Sequence, residues 1–538
     1  MAINYTKHQI NNKRTPQYKP IPGREKEMAM NNAGGYTFII DKWKRLERFL
    51  ILSSEGGTYY VSEHDLTKAN IENCIACINE NPKRVLETIV KISDEGRAPK
   101  NDQAIYLLAV LFTQCKDFDV KKEIVQALPK VCRIGTHLFM FVHYLDSMRS
   151  WGRSVRSAIA NWYSMSPEKL EYQMIKYQGR TVEGSNNQWT HRDVLRSAHV
   201  KPVSDKHNSL FKYAVKGEIS EGFNLLKAVE ELKNASEKDA CKLIKEYKIP
   251  HEAWPTELKN RAKVWNSALD DLPLGALVRN LGKLSSLEIL SKGKFDEINL
   301  VTKKLTDLSH VEKSRMHPLN ILIAMKTYSM GHGIKGKLSW VPVQKIVDAL
   351  EEMFYLSFKN VESTGKRYLL GLDVSGSMTN SYISGAQGIL TCREASACMA
   401  MVTARKEQNY EVMGFSTNFV NLDITPDMTL GQTLQKMRNL PFAGTDCSVP
   451  MIWAKDRKLD FDVFVTYTDN ETWFGKMHPM QALHEYRNQR IKDAKMIVVG
   501  MVGSEFSIAD PQDPNSLDIV GFDSAAPQII SQFSMGKL

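Results

Sequence analysis

Through the first 360 positions, apolar residues recur every third or fourth place, the period of helices with one buried face. "IYLLAVLFTQ" (105–114), "EIVQALPKVCRIGTHLFMFVHYL" (123–145), "LPLGALVRNLGKLSSLEIL" (272–290) and "HPLNILIAMKTYSMG" (317–331) carry the pattern most clearly. Pro99, Pro129, Pro167, Pro202, Pro250, Pro273 and Pro318 punctuate it, because proline removes a helix donor and crowds the preceding turn. Helices of this length with short breaks predict pairs stacked side by side, an α-solenoid of degenerate repeats. Ahead of them, residues 1–35 set Lys7, Lys13, Arg14, Lys19, Arg24 and Lys26 among Pro, Asn and Gln. So polar a segment predicts a flexible basic arm.

Near residue 360 the period changes. Short apolar runs, "RYLLGLD" (367–373), "YEVMGFS" (410–416), "DVFVTYTD" (462–469), "KMIVVGMVG" (495–503) and "LDIVGF" (517–522), alternate with helical segments. Fully apolar strands between helices predict a mainly parallel sheet covered on both faces. The predicted organisation is therefore an arm (1–35), a helical-repeat domain (36–360) and an α/β, Rossmann-like domain (361–538). In such a sheet the ligand site lies beyond the carboxyl ends of the strands, and Asp373 and Asp469 both stand at predicted strand ends.

Composition narrows the class. A chain of 538 residues, 43% hydrophobic and 25% charged, is expected to be soluble and multidomain. Its first residues are polar and basic, unlike a signal peptide, and no apolar run reaches membrane-spanning length. The expectation is a cytoplasmic protein, with the nucleus also open to it, no membrane contact and a monomeric state. Cys74 and Cys77 form a C-x-x-C without a second pair, so two reduced helix cysteines are expected. Charge divides unevenly: residues 361–538 hold 16 Lys+Arg and 20 Asp+Glu, leaving 55 and 41 in residues 1–360. A polyanion is the expected partner of the basic part.

In "LDVSGSM", Asp373, Ser375 and Ser377 follow one strand directly, and a turn there can aim all three at one point. Their oxygens are hard ligands suited to Mg²⁺. Thr445 and Asp469 stand at other predicted strand ends. The order of these loops resembles the von Willebrand factor A domain and its metal-ion-dependent adhesion site. That resemblance implies Ser375, Ser377 and Thr445 as ligands, Asp373 and Asp469 as direct or water-mediated acids, and a protein carboxylate completing the shell. Asn470 stands where the family often has Gly. No His or Lys is placed in sequence to activate Ser375 or Ser377, so the cluster reads as a docking site and not as a reaction centre.

Three segments of the helical part offer phosphate contacts. Arg149, Arg153 and Arg156 share one helix face, as do Arg192, Arg196 and His199 on a helix capped by Thr190 and Asp193, with Lys201 beyond. Between them, "EKLEYQMIKYQGRTVEG" mixes Lys169, Lys176 and Arg180 with Tyr172 and Tyr177, a loop-rich stretch suited to phosphate contact and base stacking.

"RFLILSSEGGTYY", "PKVCRIGTHLF", "THRDVLRSAHVKP", "LPLGALVRNLGKL" and "HPLNILIAMKTYSMGHGIKGKLSWVPV" resemble the TROVE module, and with the A domain behind it the chain resembles the vertebrate Ro autoantigen family. The resemblance implies a ring of HEAT-like repeats bridged by the A domain. It also implies binding of Y RNAs and of misfolded noncoding RNAs such as defective 5S rRNA precursors, in RNA quality control. Duplex RNA would lie on a basic outer surface, with a single-stranded 3′ end in the central hole. His191, Arg192 and Arg196, and then Lys169 and Arg180, match its RNA-binding segment. Degradation would fall to partner nucleases or other RNA-binding proteins, so no enzyme is implied. A competing reading is a helical scaffold for proteins, whose A domain captures a carboxylate-bearing partner through the metal.

Overall fold

The computed structural model describes residues 14–52, 63–95, 101–148, 151–181, 188–316, 318–333, 337–361, 363–383, 388–415, 419–438, 444–469, 472–501, 506–520 and 526–537. The chain forms two compact units. One comprises residues 1–74, 97–99 and 358–538; the other comprises residues 75–96 and 100–357.

The chain begins with β1 (Met28–Met30), β2 (Tyr36–Ile39), α1 (Lys42–Leu52) and α2 (Glu63–Glu80). Then come α3 (Pro82–Asp94), α4 (Asp102–Gln114), α5 (Phe118–Val131), α6 (Gly135–Met148), α7 (Arg153–Tyr163) and α8 (Pro167–Lys176). The hairpin β3 (Gly179–Thr181) and β4 (Gln188–Thr190) leads into α9 (His191–Ala198) and α10 (Asp205–Lys216). Helices continue to Gln344–Ser357.

From α3 to α7, helices pack on the next but one, α3 on α5, α5 on α7 and α4 on α6, while α6 reaches α9. Two rows of helices result, as the spacing of apolar residues predicts. The core between them holds Leu108, Phe112, Ile124, Leu128, Phe139 and Phe141, all buried. Pro129 does not break the chain as expected. It sits inside the last turn of α5, and the Val125 carbonyl that loses its helix donor accepts the Asn161 Nδ2 at 2.8 Å instead.

The other unit is built on β5 (Tyr368–Asp373), β6 (Tyr410–Phe415), β7 (Phe419–Asn421), β8 (Val463–Thr468), β9 (Lys495–Gly500), β10 (Phe506–Ser507) and β11 (Ser516–Val520). Six strands form one sheet in the order β11-β9-β8-β5-β6-β7, parallel except for the edge strand β7. β5 and β8 are buried along their whole length, as helices on both faces require. From β5 the chain moves to one side through β6 and to the other through β8, so the topological switch lies at their carboxyl ends.

The predicted arm is a correction. Residues 1–13 lie outside the described residues, but from Arg14 onward the chain packs into this α/β unit. β1 and β2 pair antiparallel, and β10 adds to β2 as a third strand. Arg24 pairs with the fully buried side chain of Asp510 and lies 4.5 Å over the Phe38 ring. Arg48 in α1 bonds Asp518 in β11. Buried acids of the C-terminal domain fix these cations, which explains why so polar a segment is ordered. Residues 14–52 therefore belong to the same compact unit as the strands of the C-terminal domain.

Candidate functional site

In the helical unit, α9 is capped at its N-terminus. Thr190 caps it: its Oγ1 accepts from the Asp193 N–H at 3.4 Å, and Asp193 Oδ2 accepts from the Thr190 N–H at 3.1 Å. His191, Val194, Leu195 and Ala198 are buried, which turns Arg192 and Arg196 outward. α7 buries Val155, Ala158, Ile159, Trp162 and Tyr163 and leaves Arg153 and Arg156 exposed. α7 packs on α9. Among the described residues none of these four arginines forms an ion pair, whereas nearby Lys176, Lys206 and Lys233 are neutralised by Glu252, Glu168 and Glu230. Beside α9 lies a groove of about 610 Å³ lined by Gln178, Arg192, Arg196, Tyr213, Lys216 and Lys233.

The remaining predicted contacts fall as follows. Lys169 is exposed on the first turn of α8, a helix capped by Ser166 where a loop-rich stretch was expected. His199 is exposed but left-handed, with φ of 49°, so it ends α9 instead of continuing its face; Lys201 is exposed beyond it. Arg180 pairs with Trp189 across the β3–β4 hairpin through its backbone, and its side chain lies outside the described residues, as does Arg149.

His191, matched to the RNA-binding segment of the family, is buried. Only 4% exposed, its ring packs 4.9 Å from Phe139 and 6.1 Å from Trp162 between centroids, and Nδ1 lies 2.8 Å from the Tyr163 hydroxyl. Burial pushes the imidazole down to about 4, so at neutral pH it carries no charge to offer. Gly135 makes room for it, since a Cβ there would meet Tyr177 Cβ at 2.9 Å and His191 Nε2 at 3.2 Å.

In the α/β unit, Asp373 ends β5 and Asp469 follows β8, so the sheet's switch point brings them together. Asp373 is fully buried; Oδ1 accepts from the Ser375 N–H and Oδ2 from the Thr468 hydroxyl, each at 2.8 Å. Burial, and then the Asp469 carboxylate, push Asp373 up to about 7. Ser375 and Ser377 oxygens stand 3.1 Å apart, and Thr445 is buried on the next loop. Asn470 lies outside the described residues. Among the described residues no group of three or more His, Cys, Asp or Glu side chains could hold a metal, so a cation here would depend on the hydroxyls. Two buried acids that repel each other, with the Ser375 and Ser377 hydroxyls on the turn after Asp373, fit a small hard cation. Asp446, open from sequence, is committed to its own loop: Oδ1 accepts from Ser448 N–H at 2.9 Å, Ser448 hydroxyl at 2.6 Å and Gln17 Nε2 at 2.7 Å.

Residues 29–328 match the TROVE domain, more than half of the chain, and residues 367–534 match the Ro60 von Willebrand factor A domain. The chain belongs to the TROVE-domain Ro family. It is 38% identical over 540 residues to "RNA-binding protein RO60" of Deinococcus radiodurans, covering 98% of this chain and 99% of that one. The Caenorhabditis elegans protein of the same name is 36% identical over 591 residues, covering 94% and 90%. The crystal structure of Deinococcus radiodurans RO (RSR) protein aligns with a TM-score of 0.73 at 37% identity, over 93% of this chain and all of that one.

Within this Ro-family chain, sequence reasoning missed two groups. Trp151 and Trp189 pair beside α7, rings 6.1 Å apart, while Trp162 is the core anchor. The signal was there, an aromatic next to each arginine helix. The other group is Gln17, Asn31 and Thr472, which buttress the A-domain loops. Gln17 and Asn31 lie more than 400 residues from Thr472 in sequence, and no local pattern announces them. None of the eight cysteines is in a disulfide, and Cys74 and Cys77 are buried. Among the described residues no helix is long and apolar enough to cross a membrane.

Proposed function

We propose that this chain is the RNA-binding protein of a small cytoplasmic ribonucleoprotein, holding Y RNAs and misfolded noncoding RNAs for quality control without turning them over. The observation that carries the reading is the set Arg153, Arg156, Arg192 and Arg196, exposed on two packed helices and without carboxylate partners among the described residues. Guanidinium groups fixed in this way suit phosphate oxygens, and Trp151 and Trp189 beside them suit an unpaired base. Lys169 extends the basic face. The names of the relatives from Deinococcus radiodurans and Caenorhabditis elegans support RNA as the ligand class.

In this reading the A domain binds Mg²⁺ through Ser375, Ser377 and Thr445, with Asp373 and Asp469 supplying the negative charge. The bound cation would accept a carboxylate from a protein partner, for which the hydroxyls and acids alone provide no positive charge. RNA binding and metal binding are separate tasks of separate residues.

The test is a binding titration between about 50 and 200 mM salt with a structured RNA bearing a single-stranded 3′ tail. Arg192→Ala with Arg196→Ala should weaken binding and reduce the salt slope by about one for each phosphate no longer neutralised. Asp373→Ala should bind RNA as the intact chain does. An unchanged slope in the arginine variant places the RNA elsewhere, and loss of binding in Asp373→Ala ends the division of labour.

A further inference from the structure

Gln17 is fully buried and both polar atoms of its side chain are used on the metal-site loops. Its Nε2 donates to Asp446 Oδ1 at 2.7 Å and to the Met477 carbonyl at 2.9 Å, and its Oε1 accepts from the Thr472 hydroxyl. Its backbone N–H donates to the Gly475 carbonyl at 3.1 Å, and its carbonyl accepts from Tyr36 at 2.7 Å. Asn31 adds a second tie, donating from Nδ2 to the Thr472 carbonyl at 2.7 Å. Gly35 lies so close that a Cβ there would meet the same Thr472 carbonyl oxygen at 2.0 Å.

Those loops are the ones that carry Thr445. Its carbonyl accepts from the N–H groups of Trp473 and Phe474 at 3.1 and 3.0 Å and lies 3.2 Å from the Thr472 hydroxyl. Asp446, the next residue, is the acid that Gln17 holds. Trp473 and Phe474 are 41% and 46% exposed, so the loop clamped from below by residues 17–35 offers two aromatic rings to solvent above. A loop with so much exposed apolar surface has little core of its own to keep it in place.

We propose that residues 17–35 are a built-in part of the A-domain metal centre, with Gln17 the positioning residue that fixes the Thr445–Asp446 loop. The proposal rests on the metal reading above. The N-terminal segment supplies no ligand. It sets the geometry of one, as outer partners of metal ligands do when their loss costs about 10- to 100-fold in affinity.

Gln17→Met keeps the side chain's length and removes its hydrogen bonds. In the full chain, Mn²⁺ affinity should fall about tenfold, and in EDTA the amides of Trp473 and Phe474 should exchange faster while those of Val465 and Val498 stay protected. Asn31→Ala, a milder change, should shift both readouts the same way and serves if Gln17→Met does not fold. Arg14→Ala should change neither, because Arg14 is 63% exposed and paired at the edge with Glu485. Unchanged Mn²⁺ affinity and exchange in both Gln17→Met and Asn31→Ala overturn the proposal alone. An equal effect of Arg14→Ala overturns the specific role of Gln17. An intact chain that binds no Mn²⁺ removes the metal reading and the proposal with it.

Discussion

At the scale of single residues, burial decides what each polar group can do. His191 sits among Phe139, Trp162 and Tyr163, so its charged form loses hydration and its proton affinity falls from the usual 6.5 to about 4. Unfolded chains therefore take up that proton before folded ones. Stability is complete above about 6.5, is lost as the pH falls toward about 4, and declines no further from this group below that. The gap is worth roughly 3 kcal/mol. Urea unfolding at pH 7.5 and 4.5 should show a smaller acid loss in His191→Gln than in the intact chain; equal losses would mean the imidazole charges freely. Gly475 is constrained as tightly. With φ of 139° and a Cβ that would stand 2.6 Å from Asp446 Oδ2, Gly475→Ala should cost about 1–3 kcal/mol, read as a lower thermal midpoint.

At the scale of elements, α9 shows how local chemistry prepares a binding face. Thr190→Ala removes the cap and should cost about 1 kcal/mol. RNA affinity should fall less than in the double arginine variant, because the capping defect loosens the arginines without deleting them. An RNA loss as large as that of the arginine variant would make α9's shape, not its charge, the determinant. The cap was legible in "THRDVLRSAH", and so were β5, β6, β8, β9 and β11 as short apolar runs; in β5 and β8, buried along their whole length, the run has no alternation. β1, β2 and β10 were not legible. They are two to four residues long, too short for a period, and β2 and β10 meet only across the length of the chain. The end of α9 at His199 was missed for another reason: a left-handed cap at a residue other than glycine leaves no mark in the pattern.

At the scale of the whole molecule, the basic excess of residues 1–360 has two destinations. Part of it, through Arg24 and Arg48, neutralises acids of the C-terminal domain, and part of it stays exposed on α7 and α9. Arg48 and Asp518 have side chains only 5% and 9% exposed. Arg48→Ala strands a buried carboxylate and should cost about 3–5 kcal/mol, while Arg48→Ala with Asp518→Ala should cost less. Thermal unfolding of both variants checks this, and a double variant no better than the single would deny the pair its role in tying α1 to the sheet.

Periodicity along the chain was enough to establish the two fold classes, the placement of Asp373 and Asp469 at strand ends, and the helix that carries Arg192 and Arg196. Each is a local property, because the helix and strand periods and the loop after a strand are set by neighbours in sequence. Only the tertiary structure decided that His191 faces inward, that the first residues form strands on the C-terminal domain, and that Gln17 reaches Asp446. Those outcomes depend on burial and on contacts between residues hundreds of positions apart, and no spacing rule along the chain encodes either.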